Sequence, residues 1–162
     1  MKKSLLVFIS LLVIHFALTF SVGLLVLYLF PPSQSFSANV TDVDSLLKHH
    51  SLLSVSVLLF AGVIIEETLF RLIPALVLTA LKKQNNRAWI FVFYFISSVL
   101  FGMAHGNWEN IFVQGIGGVV YSVTFVYFWK KKNIYGENDL ENGLIASVLL
   151  HFLFDFIMIF IL

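Results

Sequence analysis

Apolar positions in this chain run in long unbroken stretches, not in the alternation or narrow stripes of a water-soluble domain. Five stretches are long enough to cross a bilayer, which takes about 20 residues of helix. They cover approximately Ser4–Phe30, Ser51–Leu81, Ala88–His105, Ile111–Trp129 and Gly143–Leu162. Polar text separates them: a loop running to His50, the basic segment Lys82–Arg87, a tight turn near Asn107, and the charged segment Lys130–Asn142. The pattern predicts an all-α, polytopic transmembrane helical bundle of about five spanning helices. Pro31 and Pro32 end the first stretch, because proline cannot continue the helical hydrogen-bond ladder. Pro74 should kink the second helix one turn past Arg71 for the same reason. Residues 1–162 read as a single membrane domain, in which 1–50 adds a helix and an outside loop to a core at 51–162.

Composition removes the soluble alternatives. Hydrophobic residues make up 59% of the chain and charged residues 12%, against about 25% charged in soluble domains. A net charge of +1 with no long Lys/Arg tract argues against a nucleic-acid partner. The lipid bilayer is the expected surrounding, in the form of a multi-pass protein of the cell membrane. The chain has no cysteine, so disulfides, thiolate nucleophiles and thiolate metal sites are excluded.

Lys2 and Lys3 ahead of the first stretch raise the question of a signal peptide. Signal-peptide apolar regions run about 7–15 residues, and this one is far longer. No small-x-small pair follows it either, since Ala38 has Phe36 two positions earlier. A retained transmembrane helix is expected. With the N-terminus inside, Lys2, Lys3, Lys82, Lys83, Arg87 and Lys130–Lys132 all lie on the cytoplasmic side, and only Lys48 lies in an outside loop. That distribution obeys the positive-inside rule. Tyr28, Trp89, Trp108, Tyr127 and Trp129 fall near helix ends, where interfacial aromatics belong. Gly115, Gly118 and Ser122 place small residues on the fourth span at spacings that allow close helix contact, although glycine is common in such helices in any case.

Ionisable residues inside these stretches are the informative exception. They read Glu66-Glu67-Thr68-Leu69-Phe70-Arg71, Phe101-Gly102-Met103-Ala104-His105 and His151-Phe152-Leu153-Phe154-Asp155. A charge at the bilayer centre costs roughly 2.5–3.5 kcal/mol on the insertion scale, so four cost on the order of 10 if summed. Groups carried at that cost are expected to meet and do chemistry.

Glu67 and Arg71 are four apart, so they share a helix face and can pair. Glu66 points about 100° away, toward a different wall. An unpaired glutamate beside another carboxylate in a low-dielectric wall has the surroundings of a general base. A structural Arg–Glu pair that fixes helix packing would also account for Glu67 and Arg71, but it leaves Glu66 unexplained. His151 and Asp155 also share a face; Asp155 can accept from one imidazole nitrogen and leave the other for a metal or water. Each of these two, and His105 between Gly102 and Gly106, would taken alone be read as structural. His15 has no cluster partner and reads as a satisfied interhelical donor, and His49 and His50 as solvated loop residues. Counted at the helical rise, Glu66 lies roughly 22 Å from Ser51, and His151 and Asp155 lie roughly 12 and 18 Å from Gly143 on the opposite side. They can meet near the midplane, whereas His105 lands nearer the outer surface.

Taken in order, Glu-Glu-x-x-x-Arg, Phe-x-x-x-His and His-x-x-x-Asp resemble the signature of the CAAX protease and bacteriocin-processing family of intramembrane peptidases, also called Abi proteins. The resemblance covers about residues 51–162, and the flanking text Leu100–Gly106 is similar too. It departs at Asp155, where many members have asparagine, which makes the site more acidic. The resemblance implies an intramembrane endopeptidase acting on a peptide or membrane-protein substrate, in which a glutamate activates water. It implies Glu66 as the base, Glu67 paired with Arg71, His105 holding the water or metal, and His151 and Asp155 completing the site or stabilising the oxyanion. Two mechanisms fit. In one, Glu66, His105 and His151 bind zinc, which lowers the pKa of water toward 7. In the other, a metal-free glutamate–histidine pair does the same work.

Other intramembrane protease chemistries lack their residues: there is no His-Glu-x-x-His helix, Gly-x-Ser-Gly nucleophile or Gly-x-Gly-Asp pair. Two non-peptidase readings carry distinct expectations. A membrane immunity or interaction protein that keeps the motif would tolerate replacement of Glu66. An ion or proton pathway would conduct in liposomes and cleave nothing, and the absence of a repeat argues against a transporter.

Overall fold

The computed structural model describes residues 2–29, 51–106, 108–131 and 138–160, apart from the side chains of residues 27, 108 and 109. The Pro31–Pro32 stop, the loop containing Lys48, His49 and His50, the turn at Asn107, the Trp108 side chain and most of the Lys130–Asn142 loop lie outside these residues. The described regular structure is all helical: α1 (Lys2–Leu29), α2 (Leu52–Glu67), a π-helical turn (Thr68–Leu72), α3 (Ile73–Ala80), α4 (Arg87–Ala104), α5 (Trp108–Trp129) and α6 (Leu140–Phe160). Five stretches are long and apolar enough to span a membrane, with α2, the π turn and α3 forming one of them, as Leu52–Ala80.

Local chemistry sets the helix ends. The Ser51 hydroxyl accepts from the Ser54 amide at 3.2 Å and caps α2. The Asn86 side-chain oxygen Oδ1 accepts from the Ala88 amide at 3.0 Å and caps α4. At the other end of α4, Gly106 has φ of +100°, a left-handed conformation that stops the helix after His105 and favours glycine.

The irregularity at Pro74 takes a different form from a simple kink. The Ile73 amide donates to the Thr68 carbonyl, an i→i+5 bond that closes the π turn around Arg71. Proline has no N–H, so the carbonyl of Phe70, four residues back, loses its helical donor. The Ser97 hydroxyl of α4 donates to that carbonyl, and the Ser122 hydroxyl of α5 donates to Ser97 Oγ at 3.1 Å. Backbone polarity freed inside a membrane is thereby satisfied by neighbouring helices. Ser97→Ala should therefore lower stability by about 1–3 kcal/mol, read as the loss in an unfolding titration in mild detergent. In a Pro74→Ala background, where residue 74 regains its N–H, the same substitution should cost measurably less.

Helices α4 and α5 form the most extensive pair in the bundle, and α6 and α1 pack on α5. Small residues set the approach. A Cβ on Gly102 would lie 2.6 Å from Ile111 Cα, and one on Gly118 would lie 2.9 Å from Ser98 Cα. The close contact expected from Gly115, Gly118 and Ser122 is thus present between α4 and α5. Gly118→Ala should cost about 1–3 kcal/mol through backbone displacement, seen as a lower Tm. Gly62→Ala, with nothing within 4 Å of its would-be Cβ, should leave Tm unchanged or raise it.

Not all the aromatics near helix ends are interfacial. Trp89, Tyr28 and Tyr127 are exposed, but Trp129 is buried with Ala75, Leu78, Phe93 and Phe125. Gly143 of α6 makes the room, since a Cβ there would sit 3.0 Å from Trp129 Cβ. The same core cluster holds Ile90 of α4, and Lys131 donates to Ser4 Oγ. Lys2, Lys3, Lys82, Lys83, Arg87, Lys130 and Lys131 therefore gather at one end of the bundle, as a common basic side requires.

Candidate active site

Arg71 and Glu67 form the floor of the polar cluster. Both are fully buried, and Arg71 Nη1 lies 3.3 Å from Glu67 Oε1. Arg71 Nη2 also donates to the Gly118 carbonyl at 3.3 Å. The guanidinium lies over the Phe101 ring at 4.5 Å and the Tyr121 ring at 5.3 Å, where ring quadrupoles favour a cation. Among the described residues, Glu67 Oε2 and Arg71 Nε have no hydrogen-bond partner. A buried pair this incompletely satisfied is weak evidence for a purely stabilising role.

His151 of α6 sits on this floor. Its Nδ1 lies 2.9 Å from Glu67 Oε1, and its Nε2 lies 3.2 Å from Asp155 Oδ2 and 3.7 Å from Glu66 Oε2. Ionised carboxylates only accept, so a ring with both nitrogens protonated satisfies both sides. The two adjacent glutamates thus bracket one imidazole instead of serving separate walls. The expectation that one His151 nitrogen stays free is corrected in the same way, because Glu67 reaches across from α2 to occupy it. The ring is stacked on Tyr121, with centroids 4.1 Å apart and planes at 20°.

Exposure separates the carboxylates. The Glu66 side chain is 34% exposed and that of Asp155 28%, while Glu67 is wholly enclosed. Glu66 and Asp155 therefore line the mouth and Glu67 lines the floor.

His105 joins this group from the end of α4. Its Nδ1 lies 2.8 Å from the Phe101 carbonyl, and a carbonyl can only accept, so Nδ1 carries the proton and a neutral ring leaves Nε2 with a free lone pair. The buried Asn110 side chain donates to the His105 carbonyl at 2.7 Å and fixes the end of the helix. One ring, Phe101, separates His105 from His151, at 4.6 and 5.4 Å between centroids.

Among the described residues, no three His, Cys, Asp or Glu side chains are grouped so as to hold a metal ion. Both His151 nitrogens face carboxylates, and Glu66, His105 and His151 do not form a ligand set as they stand.

Two features of the site are not evident from the three motifs. Tyr121 supports both Arg71 and His151; its only sequence signal is a tyrosine embedded among Gly117, Gly118 and Ser122 in a spanning segment. His15, expected as an interhelical donor, is buried; among the described residues its Nδ1 has no hydrogen-bond partner, and its ring packs on Phe154 and Tyr121.

A family model described as Type II CAAX prenyl endopeptidase Rce1-like matches residues 48–157. That stretch contains Glu66, Glu67, Arg71, His105, His151 and Asp155, and leaves α1 outside. No curated protein and no solved structure matches the chain.

Proposed function

The chain belongs to the Type II CAAX prenyl endopeptidase Rce1-like family, which makes it a CAAX-type intramembrane endopeptidase, and from that premise we propose that Glu66 is its water-activating base. With five spanning stretches it is a multi-pass membrane protein. The observation that carries the assignment is the contrast between adjacent glutamates: Glu66 is one-third exposed beside His151 Nε2, whereas Glu67 is enclosed by Arg71 and His151 Nδ1.

In this reading the Glu66 carboxylate takes a proton from water as the water oxygen bonds to the scissile carbonyl carbon. The carbonyl π electrons move onto oxygen, and the Nε2–H of His151 donates to the oxyanion that forms. Collapse of the tetrahedral intermediate breaks the C–N bond, and the proton held by Glu66 passes to the leaving nitrogen. Glu67, steadied by Arg71, accepts from Nδ1–H and so keeps Nε2–H directed at the mouth. Asp155 holds that same N–H before substrate arrives, and His105 offers an Nε2 lone pair to position water on the Glu66 side. The substrate is a peptide or membrane protein whose apolar or prenylated end enters through the bilayer, a class that includes bacteriocin-like peptides.

The test is cleavage in proteoliposomes of two quenched reporters, one with a prenylated Cys-aliphatic-aliphatic-X tail and one an unmodified apolar peptide. Cleavage of either supports the peptidase reading, and the preferred reporter gives the substrate class. No cleavage by folded protein would turn the assignment to a binding or immunity protein that keeps the motif. Stoichiometric zinc in the active preparation would transfer water activation from Glu66 alone to a metal.

A further inference from the structure

His15 lies on α1, outside the stretch that carries the family motifs, yet it is among the most completely buried polar side chains of the described residues. Among the described residues Nδ1 has no hydrogen-bond partner, and aromatic rings pack around the imidazole. One face stacks on Phe154, with centroids 3.7 Å apart and planes at 21°, and Tyr121 meets the ring edge-on at 4.8 Å and 90°. Gly117 opens the space, because a Cβ there would come within 3.0 Å of His15 Nε2. Tyr121 in turn stacks on His151 at 4.1 Å, and Phe154 lies one turn from His151 on α6. The His15 ring therefore touches Tyr121, which stacks on the His151 imidazole, and Phe154 of the helix that carries it.

We infer that His15 is a positioning residue: its ring wedges Tyr121 against His151, so the helix outside the family match is a working part of the active site. An imidazole plane turned away from Glu66 and Asp155 misdirects the N–H on which oxyanion stabilisation depends, and small misplacements of this kind are costly to rate. A buried nitrogen without a partner is unfavourable, so the ring serves here through its face and not its polarity, and phenylalanine should replace it.

The kinetic arm of the test rests on the peptidase reading; the spectroscopic arm does not. Full-length protein in lipid nanodiscs, labelled at histidine, would be compared as wild type, His15→Ala, His15→Phe and Gly117→Ala, with His151→Asn used to assign the His151 ring signals. His15→Ala and Gly117→Ala should shift those signals and lower kcat on the prenylated reporter by about tenfold or more, with KM within about twofold. His15→Phe should leave the signals in place and kcat within about twofold of wild type. Unmoved His151 signals in His15→Ala, or a phenylalanine variant as impaired as the alanine one, overturns the inference. Should His15→Ala not fold, Gly117→Ala displaces the ring without removing it and decides alone. Wild-type protein that cleaves nothing removes the peptidase reading, and the ring signals still decide the role of His15.

Discussion

Glu66→Gln is expected to lower kcat/KM on the cleaved reporter by about 10²–10⁴-fold, the range a positioned general base contributes. The amide keeps the size and hydrogen bonding of the side chain but cannot take the proton from water. Because the Glu66 side chain is one-third exposed, the substitution should leave the fold intact, shown by an unchanged Tm and an unchanged size-exclusion profile. Asp155→Asn is the internal comparison. Its amide oxygen can still accept from His151 Nε2, at 3.2 Å in the native site, so its loss of activity should be much smaller. A Glu66→Gln enzyme that keeps wild-type turnover would sink the assignment of the base.

The second large effect lies in stability. Arg71→Met should cost about 3–5 kcal/mol, because removing one member of a buried pair leaves an uncompensated charge. The lower end of that range is expected, since His151 Nδ1 remains 2.9 Å from Glu67. A loss of this size is a large fraction of the roughly 5–15 kcal/mol that holds a typical protein folded. Adding Glu67→Gln removes the stranded charge while its amide oxygen still accepts from His151. The double variant should therefore be more stable than Arg71→Met alone, a coupling that a double-mutant cycle in detergent unfolding measures directly. Simple additivity of the two losses would mean that the pair does not interact energetically.

Much of this site is legible in the sequence because a membrane makes charge conspicuous. Glu67 with Arg71 and His151 with Asp155 follow from a spacing of four residues, and both pairs are present at 3.3 and 3.2 Å. The five spans follow from stretch length. Burial is a different matter, since lipid and protein interior select the same apolar residues. Phe91 and Phe93 stand two positions apart on α4, the first 69% exposed and the second 4%, and nothing in their chemistry separates them. Trp129 is buried for the same reason: its place at a helix end suggests an interface, and only Gly143 across the α5–α6 contact explains its enclosure. Tyr121 and His15 are hidden because their roles depend on which helices pack together. The π turn at Arg71 needed Pro74 read together with the Ser97 hydroxyl, which lies 27 residues beyond the Phe70 carbonyl it serves.

The Glu67–Arg71 pair also bears on the order in which the protein is made. Both partners belong to one inserting segment, Leu52–Ala80, so the two charges can neutralise each other as that segment leaves the translocon. His151 is 84 residues further along the chain than Glu67 and is synthesised much later, since chains emerge N-terminal first. The floor of the site can therefore form during biogenesis, while the Glu66 mouth waits for the last helix. A nascent chain that has not yet delivered α6 carries the base without its imidazole, and so is a membrane protein before it is a protease.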